Sequence, residues 1–208
     1  MNIMNSHEIR LNRLADQLKE RKRTDPVTLK KKTVSHMVPK PKNKAYTDEK
    51  IDISDFDDIL FIDPEKHICV AEPGVTFEKL VEATLKYNLV PAEVSEFRTI
   101  TIGGAVAGCS IESMSYKLGG FHDNCLEYEI VTAKGEVLIC TPDNENSLLF
   151  QMIHGTFGTL GIITKLTFRL LPAKPFVKVV YERFETLGDY KAAIWNHYEK
   201  KIWISWME

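Results

Sequence analysis

Residues 99–113 read Thr-Ile-Thr-Ile-Gly-Gly-Ala-Val-Ala-Gly-Cys-Ser-Ile-Glu-Ser, with Gly103, Gly104 and Gly108 set among small side chains and only Val106 bulky between them. Where side chains are missing, a large polar group can come close to the main chain. Clustered backbone N–H groups then form a concave site for anions. The chemistry this suits is the holding of a phosphate-bearing cofactor; the alternative is a tight turn packed on a strand. A second glycine-rich turn, Gly155-Thr156-Phe157-Gly158-Thr159-Leu160-Gly161, follows some fifty residues on. The two are expected to converge on one cavity.

Two familiar phosphate sites are excluded by spacing. A dinucleotide-binding Rossmann turn needs G-x-G-x-x-G straight after a strand, with an acidic residue about 20 positions on. Gly103-Gly104-x-x-x-Gly108 does not fit it, and no G-x-x-x-x-G-K-[ST] is present. Cys69, Cys109, Cys125 and Cys140 are widely spaced, with no C-x-x-C pair, so reduced thiols and no metal are expected.

The elements that position the glycines follow from pattern. Residues 8–23 read as an amphipathic helix with Ile9, Leu11, Leu14, Ala15 and Leu18 near one face, ending at Asp25-Pro26. Residues 59–62 and 67–71 read as strands joined by the turn 63–66. Thr76 caps a helix with Phe77, Leu80, Val81 and Leu85 as its buried stripe, fading near Asn88 and stopped by Pro91. Residues 126–132 and 136–140 flank a hairpin turn at 133–135. A short helix over 144–152, capped by Asn144 or Asn146, a strand over 162–171, a strand over 177–184 and a helix over 187–198 complete the pattern. Together these describe an α+β domain. The apolar, aromatic end at 202–208 reads as a cut edge.

Composition fits an ordinary globular chain: 44% hydrophobic residues and a net charge of −2. No apolar run approaches the roughly 20 residues that span a bilayer. The first nine residues lack a signal peptide's apolar stretch, so a cytoplasmic location is expected. Residues 10–44 are strongly basic. Without interleaved aromatics this reads as a solvated face, or a wall that helps hold an anionic cofactor, and not as a nucleic-acid surface.

Four motifs in order carry a family resemblance: Glu72-Pro73-Gly74-Val75-Thr76 before a helix, Thr101-Ile102-Gly103-Gly104, Val131-Thr132-Ala133-Lys134-Gly135-Glu136, and Gly158-Thr159-Leu160-Gly161-Ile162-Ile163-Thr164. The chain resembles the FAD-binding PCMH-type domain of the vanillyl-alcohol oxidase/p-cresol methylhydroxylase superfamily. Ile111-Glu112-Ser113, Tyr116-Lys117-x-Gly119 and Leu170-Leu171-Pro172-Ala173-Lys174 make it similar to the delta24-sterol reductases within it. The resemblance implies a two-subdomain FAD-binding fold whose substrate domain is largely missing. Its expected divisions are 1–45, an N-terminal helix and the basic start of the first subdomain, 46–175, the FAD-binding core, and 176–208, a truncated start of the substrate domain.

It further implies a flavin-dependent oxidoreductase with non-covalent FAD, NADPH as electron donor and a small apolar or sterol-like substrate. A non-catalytic remnant, part of a split enzyme, or the FAD subunit of a multi-subunit hydroxylase are the alternatives. By resemblance, cofactor contacts fall to Pro73 and Gly74, to Thr101, Ile102, Gly103, Gly104, Ala105, Val106, Ala107, Gly108, Cys109, Ser110, Ile111, Glu112 and Ser113, and to Gly158, Gly161 and Ile163. The glycine-rich phosphate loop that many members carry early is absent from 33–39. His36, His122 and His154 have no surrounding attachment motif and are expected in ordinary polar roles. Cys109 is expected to fill space and Glu112 to anchor loop N–H groups. No catalytic residue is assigned.

Overall fold

The structure, a computed structural model, describes residues 3–22, 27–32 and 50–200. His36, the segment 33–39, Asp25-Pro26 and the end at 202–208 lie outside the described residues.

The chain begins with helix α1 (Ile3–Glu20), five residues earlier than its apolar pattern suggests. Leu14, Ala15 and Leu18 are buried as expected, but Ile9 is exposed and the stripe continues through His7. Two short strands, β1 (Thr28–Lys30) and β2 (Lys50–Asp52), pair in parallel. Their Ile51, with Phe56, Val131 and Ile162, packs on α1 to form one apolar core.

The second core lies on an antiparallel sheet. The hairpin β3 (Ile59–Asp63) and β4 (Ile68–Ala71) matches expectation. Helix α2 (Phe77–Leu85) follows, and the Thr76 hydroxyl accepts from Lys79 N at 3.3 Å as an N-cap. Phe77 and Leu80 are buried, but Leu85 is exposed and Thr84 takes its place, one turn beyond Leu80. Where the chain was expected only to stop at Pro91, β5 (Leu89–Pro91) pairs with the far end of a long strand.

That strand, β8 (Ile162–Pro172), is the spine of the sheet, with β4 on one side and the hairpin β6 (Cys125–Val131) and β7 (Val137–Cys140) on the other. Its positions 162, 164, 166, 168 and 170 are buried, the period of two that a strand imposes. Phe168 meets Phe121, and Phe121 meets Phe77, at ring centroids of 5.1 and 5.3 Å. The sheet and its helices make the α+β fold the sequence pattern describes.

Three local expectations fail for identifiable reasons. The glycine-rich segment is not a loop: it folds as helix α3 (Ile102–Gly108). Thr101 Oγ1 accepts from Gly104 N at 3.2 Å, and Ile102, Ala105 and Val106 are buried, so capping and packing override glycine's poor helix propensity. Helix α4 (Ser115–Leu118) and a 3-10 turn (Phe121–Asn124) follow it. Helix α5 (Ser147–Met152) forms, yet neither asparagine caps it in the usual way: the Asn144 side chain accepts from Thr141 and Asn146 N–H groups instead. Residues 177–184 form no strand, since they pair with no other segment among the described residues; 177–183 are exposed. Helix α6 (Leu187–Glu199) follows, capped by Thr186.

Candidate functional site

The site is built by the two faces of α3. Ile102, Ala105 and Val106 point into the core, so Thr101, Gly103, Gly104, Ala107 and Gly108 turn outward. The outward face forms one wall of a groove. Pro73-Gly74 is laced against it, with Ile102 N donating to Val75 O at 2.9 Å and Gly103 N to Pro73 O at 2.9 Å. A Cβ at Gly103 would collide with Pro73, so this glycine is demanded by close backbone approach. Gly104 is different. Among the described residues, a Cβ there meets only the Thr101 hydroxyl at 3.1 Å, and its φ is not positive, so no other described residue fills the space over it.

The loop after α5 is zipped to the same helix, with Gly155 N donating to Val106 O at 3.2 Å and Phe157 N to Ala107 O at 3.0 Å. Phe157 holds φ 53°, in the left-handed region, and is 80% exposed. A bulky side chain in that conformation is strained, and an exposed one gains nothing from packing in return. The β1–β2 side closes the groove with Leu29, Lys31, Lys32, Ile53 and Ser54. The groove thus runs between the two apolar cores, with lysines at one edge.

Of the residues picked out from sequence, Pro73, Gly74, Thr101, Gly103, Gly104, Ala107, Gly158, Gly161 and Ile163 meet in this groove. Ile102, Ala105 and Val106 offer it no side chain. Gly108 lies beside Phe157. Cys109 ends α3 at φ 52° and faces His154. Ile111, Glu112 and Ser113 instead line a second cavity of ≈690 Å³, open to solvent, with Tyr116, His122 and Trp195.

Beneath that second cavity lies a carboxylate pair. Glu112 Oε1 accepts from Ser95 Oγ at 3.0 Å and Ser110 Oγ at 3.3 Å, so it anchors hydroxyls where loop N–H groups were expected. Glu93 is buried, and its Oε2 has no partner among the described residues. Burial, then the nearby Glu112 charge, push its carboxyl up to about 7, against the Ser110 hydrogen bond. This is a group that holds a proton near neutral pH.

Sequence reasoning missed the polar cluster that ties α1 to the sheet. His7 Nδ1 lies 2.7 Å from Glu72 Oε1 and its Nε2 2.8 Å from Glu129 Oε1. Arg10 donates to Glu72 and Asp58, and Lys165 and Thr164 donate to Glu129. Burial opposes charge on His7, but bonds to the two carboxylates outweigh it and raise the imidazole to about 9. The available signal was Glu129 beside the apolar run Ile130-Val131, a charge that must find a partner once that end of the strand is buried.

A sequence profile described as FAD binding domain matches residues 36–141, about half of the chain. The chain belongs to this family of FAD-binding domains. Delta(24)-sterol reductase of Pisum sativum is 38% identical over 132 residues, covering 64% of this chain and 23% of that protein. The human protein of the same name is 38% identical over 125 residues, or 60% of this chain and 24% of its own. Cytokinin dehydrogenase 8 of Oryza sativa subsp. indica is 33% identical over 125 residues, 58% of this chain and 23% of that protein. The chain spans about a quarter of the length of these relatives. Among the described residues, no helix is long and apolar enough to cross a membrane.

Proposed function

We propose that the groove on α3 holds FAD without a covalent link, and that the chain is the cofactor-binding part of a flavin-dependent oxidoreductase. The observation that carries this reading is the space over Gly104 that no other described residue fills, walled by main chain from Pro73-Gly74 and the Gly158–Gly161 turn. Bare backbone lets a diphosphate lie against the main chain with no side chain between, while the Ile102, Gly103 and Gly104 N–H groups stay bonded to Val75 O, Pro73 O and Thr101 Oγ1. Lys31 and Lys32 at the groove edge favour an anion, although Lys32 also pairs with Asp57 at 2.6 Å. Phe157 supplies an exposed ring at the rim for a planar heterocycle to pack on.

Bound FAD supplies hydride chemistry, and the chain's own residues bind and orient it. Likeness to delta(24)-sterol reductases supports reduction of a carbon–carbon double bond in a sterol-like substrate, with NADPH as the donor. Identity to the sterol reductases exceeds that to the cytokinin dehydrogenase, which favours reduction over C–H oxidation. Pro73, Gly74, Thr101, Gly103, Gly104, Ala107, Gly158, Gly161 and Ile163 are the proposed cofactor contacts.

The test is the visible spectrum of the purified chain, before and after denaturation and after adding FAD. Flavin bands released on denaturation are expected. Gly104→Val should abolish flavin uptake while leaving the far-UV circular dichroism unchanged. A wild-type chain that is colourless and takes up no added FAD overturns the reading.

A further inference from the structure

Cys109, His122 and His154 come from three separate segments: the end of α3, the 3-10 turn and the loop after α5. Their spacing in sequence resembles no metal motif, which is why the sequence gives no hint of them. The fold nevertheless puts one ligand atom from each within 4.8 Å of the others. Cys109 Sγ is 3.8 Å from His154 Nδ1, and the two imidazoles stack at 4.6 Å between centroids.

Packing alone does not account for this cluster. His122 Nδ1 is buried with no hydrogen-bond partner among the described residues, a cost that close-packed interiors avoid. Its other nitrogen lies 3.6 Å from Asp123 Oδ2, beyond hydrogen-bond length, and that oxygen accepts from Gly120 N at 2.8 Å. Burial first, against the nearby Asp123 charge and with His154 adding, lowers the His122 pKa.

We propose that Cys109, His122 and His154 form a binding site for a thiophilic divalent cation of the zinc type, with the fourth position left to water. Tetrahedral zinc with Zn–S of about 2.3 Å and Zn–N of about 2.0–2.1 Å sets ligand atoms roughly 3.4–3.6 Å apart. The widest spacing therefore has to close by at most about 1.5 Å, within reach of side-chain torsions. On binding, the Cys109 thiol gives its proton to solvent and no electron moves. The ion would join the end of α3 to the loop carrying Phe157, fastening two walls of the groove. The site does not depend on whether FAD binds.

Two measurements on the full chain, stripped with chelator and desalted, test this. In a Co²⁺ titration, one equivalent should bind with visible bands of tetrahedral cobalt and a near-ultraviolet thiolate-to-cobalt band, all displaced by Zn²⁺. Cys109→Ser should lose the thiolate band, and His154→Gln should bind at least about tenfold more weakly. His197→Gln, on α6, should match wild type. The second readout needs no variant. Cys69, Cys125 and Cys140 are buried, and burial pushes the Cys69 and Cys125 thiols up to about 12, so one fast-reacting thiol is expected, that of Cys109. Stoichiometric Zn²⁺ should protect it. A wild-type chain with no thiolate-to-cobalt band, the same band in Cys109→Ser, or a thiol reacting equally fast with Zn²⁺ overturns the proposal.

Discussion

Replacing His7 with glutamine removes the positive charge that joins two buried carboxylates while keeping a side chain of similar reach. His7 is 2% exposed, and its partners Glu72 and Glu129 are buried with it. Its imidazole rises from an ordinary 6.5 to about 9. At about 1.36 kcal/mol per pH unit, that gives a linkage contribution of at most about 3.4 kcal/mol. The native state binds this proton more tightly than the unfolded chain. The contribution is therefore complete below pH 6.5 and is lost as the pH rises through about 9. Glu129 runs the other way, held near about 2 by His7, Lys165 and Thr164 against its burial, so its share is lost only in acid, below 4.5. The two shifts describe one shared interaction and do not add. Because Arg10 and Lys165 still face the carboxylates in the variant, the loss on His7→Gln should be near 3 kcal/mol, the low end for breaking a buried pair. Urea unfolding followed by circular dichroism measures it. Wild type should weaken by about 2–3 kcal/mol between pH 7 and 9.5, and His7→Gln should be nearly flat over that range. A variant that keeps the wild-type slope, or loses less than about 1 kcal/mol at pH 6, would refute the charged bridge.

Phe157→Gly should move stability and binding in opposite directions. Releasing a left-handed φ of 53° raises stability by about 1 kcal/mol, and losing the ring weakens FAD binding about tenfold, read by thermal melts and flavin fluorescence. Glu93→Gln should make the protein more stable above pH 7 and remove the decline between pH 4.5 and 7, since a raised carboxyl is worth less as it is forced to ionise; pH-dependent unfolding checks it. Gly103→Ala should cost more stability than Gly104→Ala, because its Cβ meets backbone and ring atoms of Pro73, and parallel urea curves compare them.

What could be read from the chain divides along physical lines. Period and punctuation are local properties, so the β3–β4 and β6–β7 hairpins, α2 with its Thr76 cap, and the long β8 were all legible. The helix at 102–108 was hidden because glycine content argues against it, and the argument for it, three side chains entering the core, exists only once the sheet is present. The same logic separates the glycines. Sequence shows Gly103 and Gly104 as identical neighbours, whereas the fold makes one a packing necessity and leaves the other facing open space. The residues that line the groove from β1–β2, and Phe157 with its strained backbone, gave no signal because their chemistry lies in placement and not in type. His7 was likewise invisible beside the leucines of α1, yet it ties that helix to Glu72, just past β4, and to Glu129 in β6, both more than sixty residues away. The family match begins after α1, at residue 36, while the polar cluster crosses that boundary through Glu72 and Glu129. The N-terminal helix is therefore part of what holds the groove-bearing fold together, and the pH response of His7→Gln measures how much of the domain's stability rests on it.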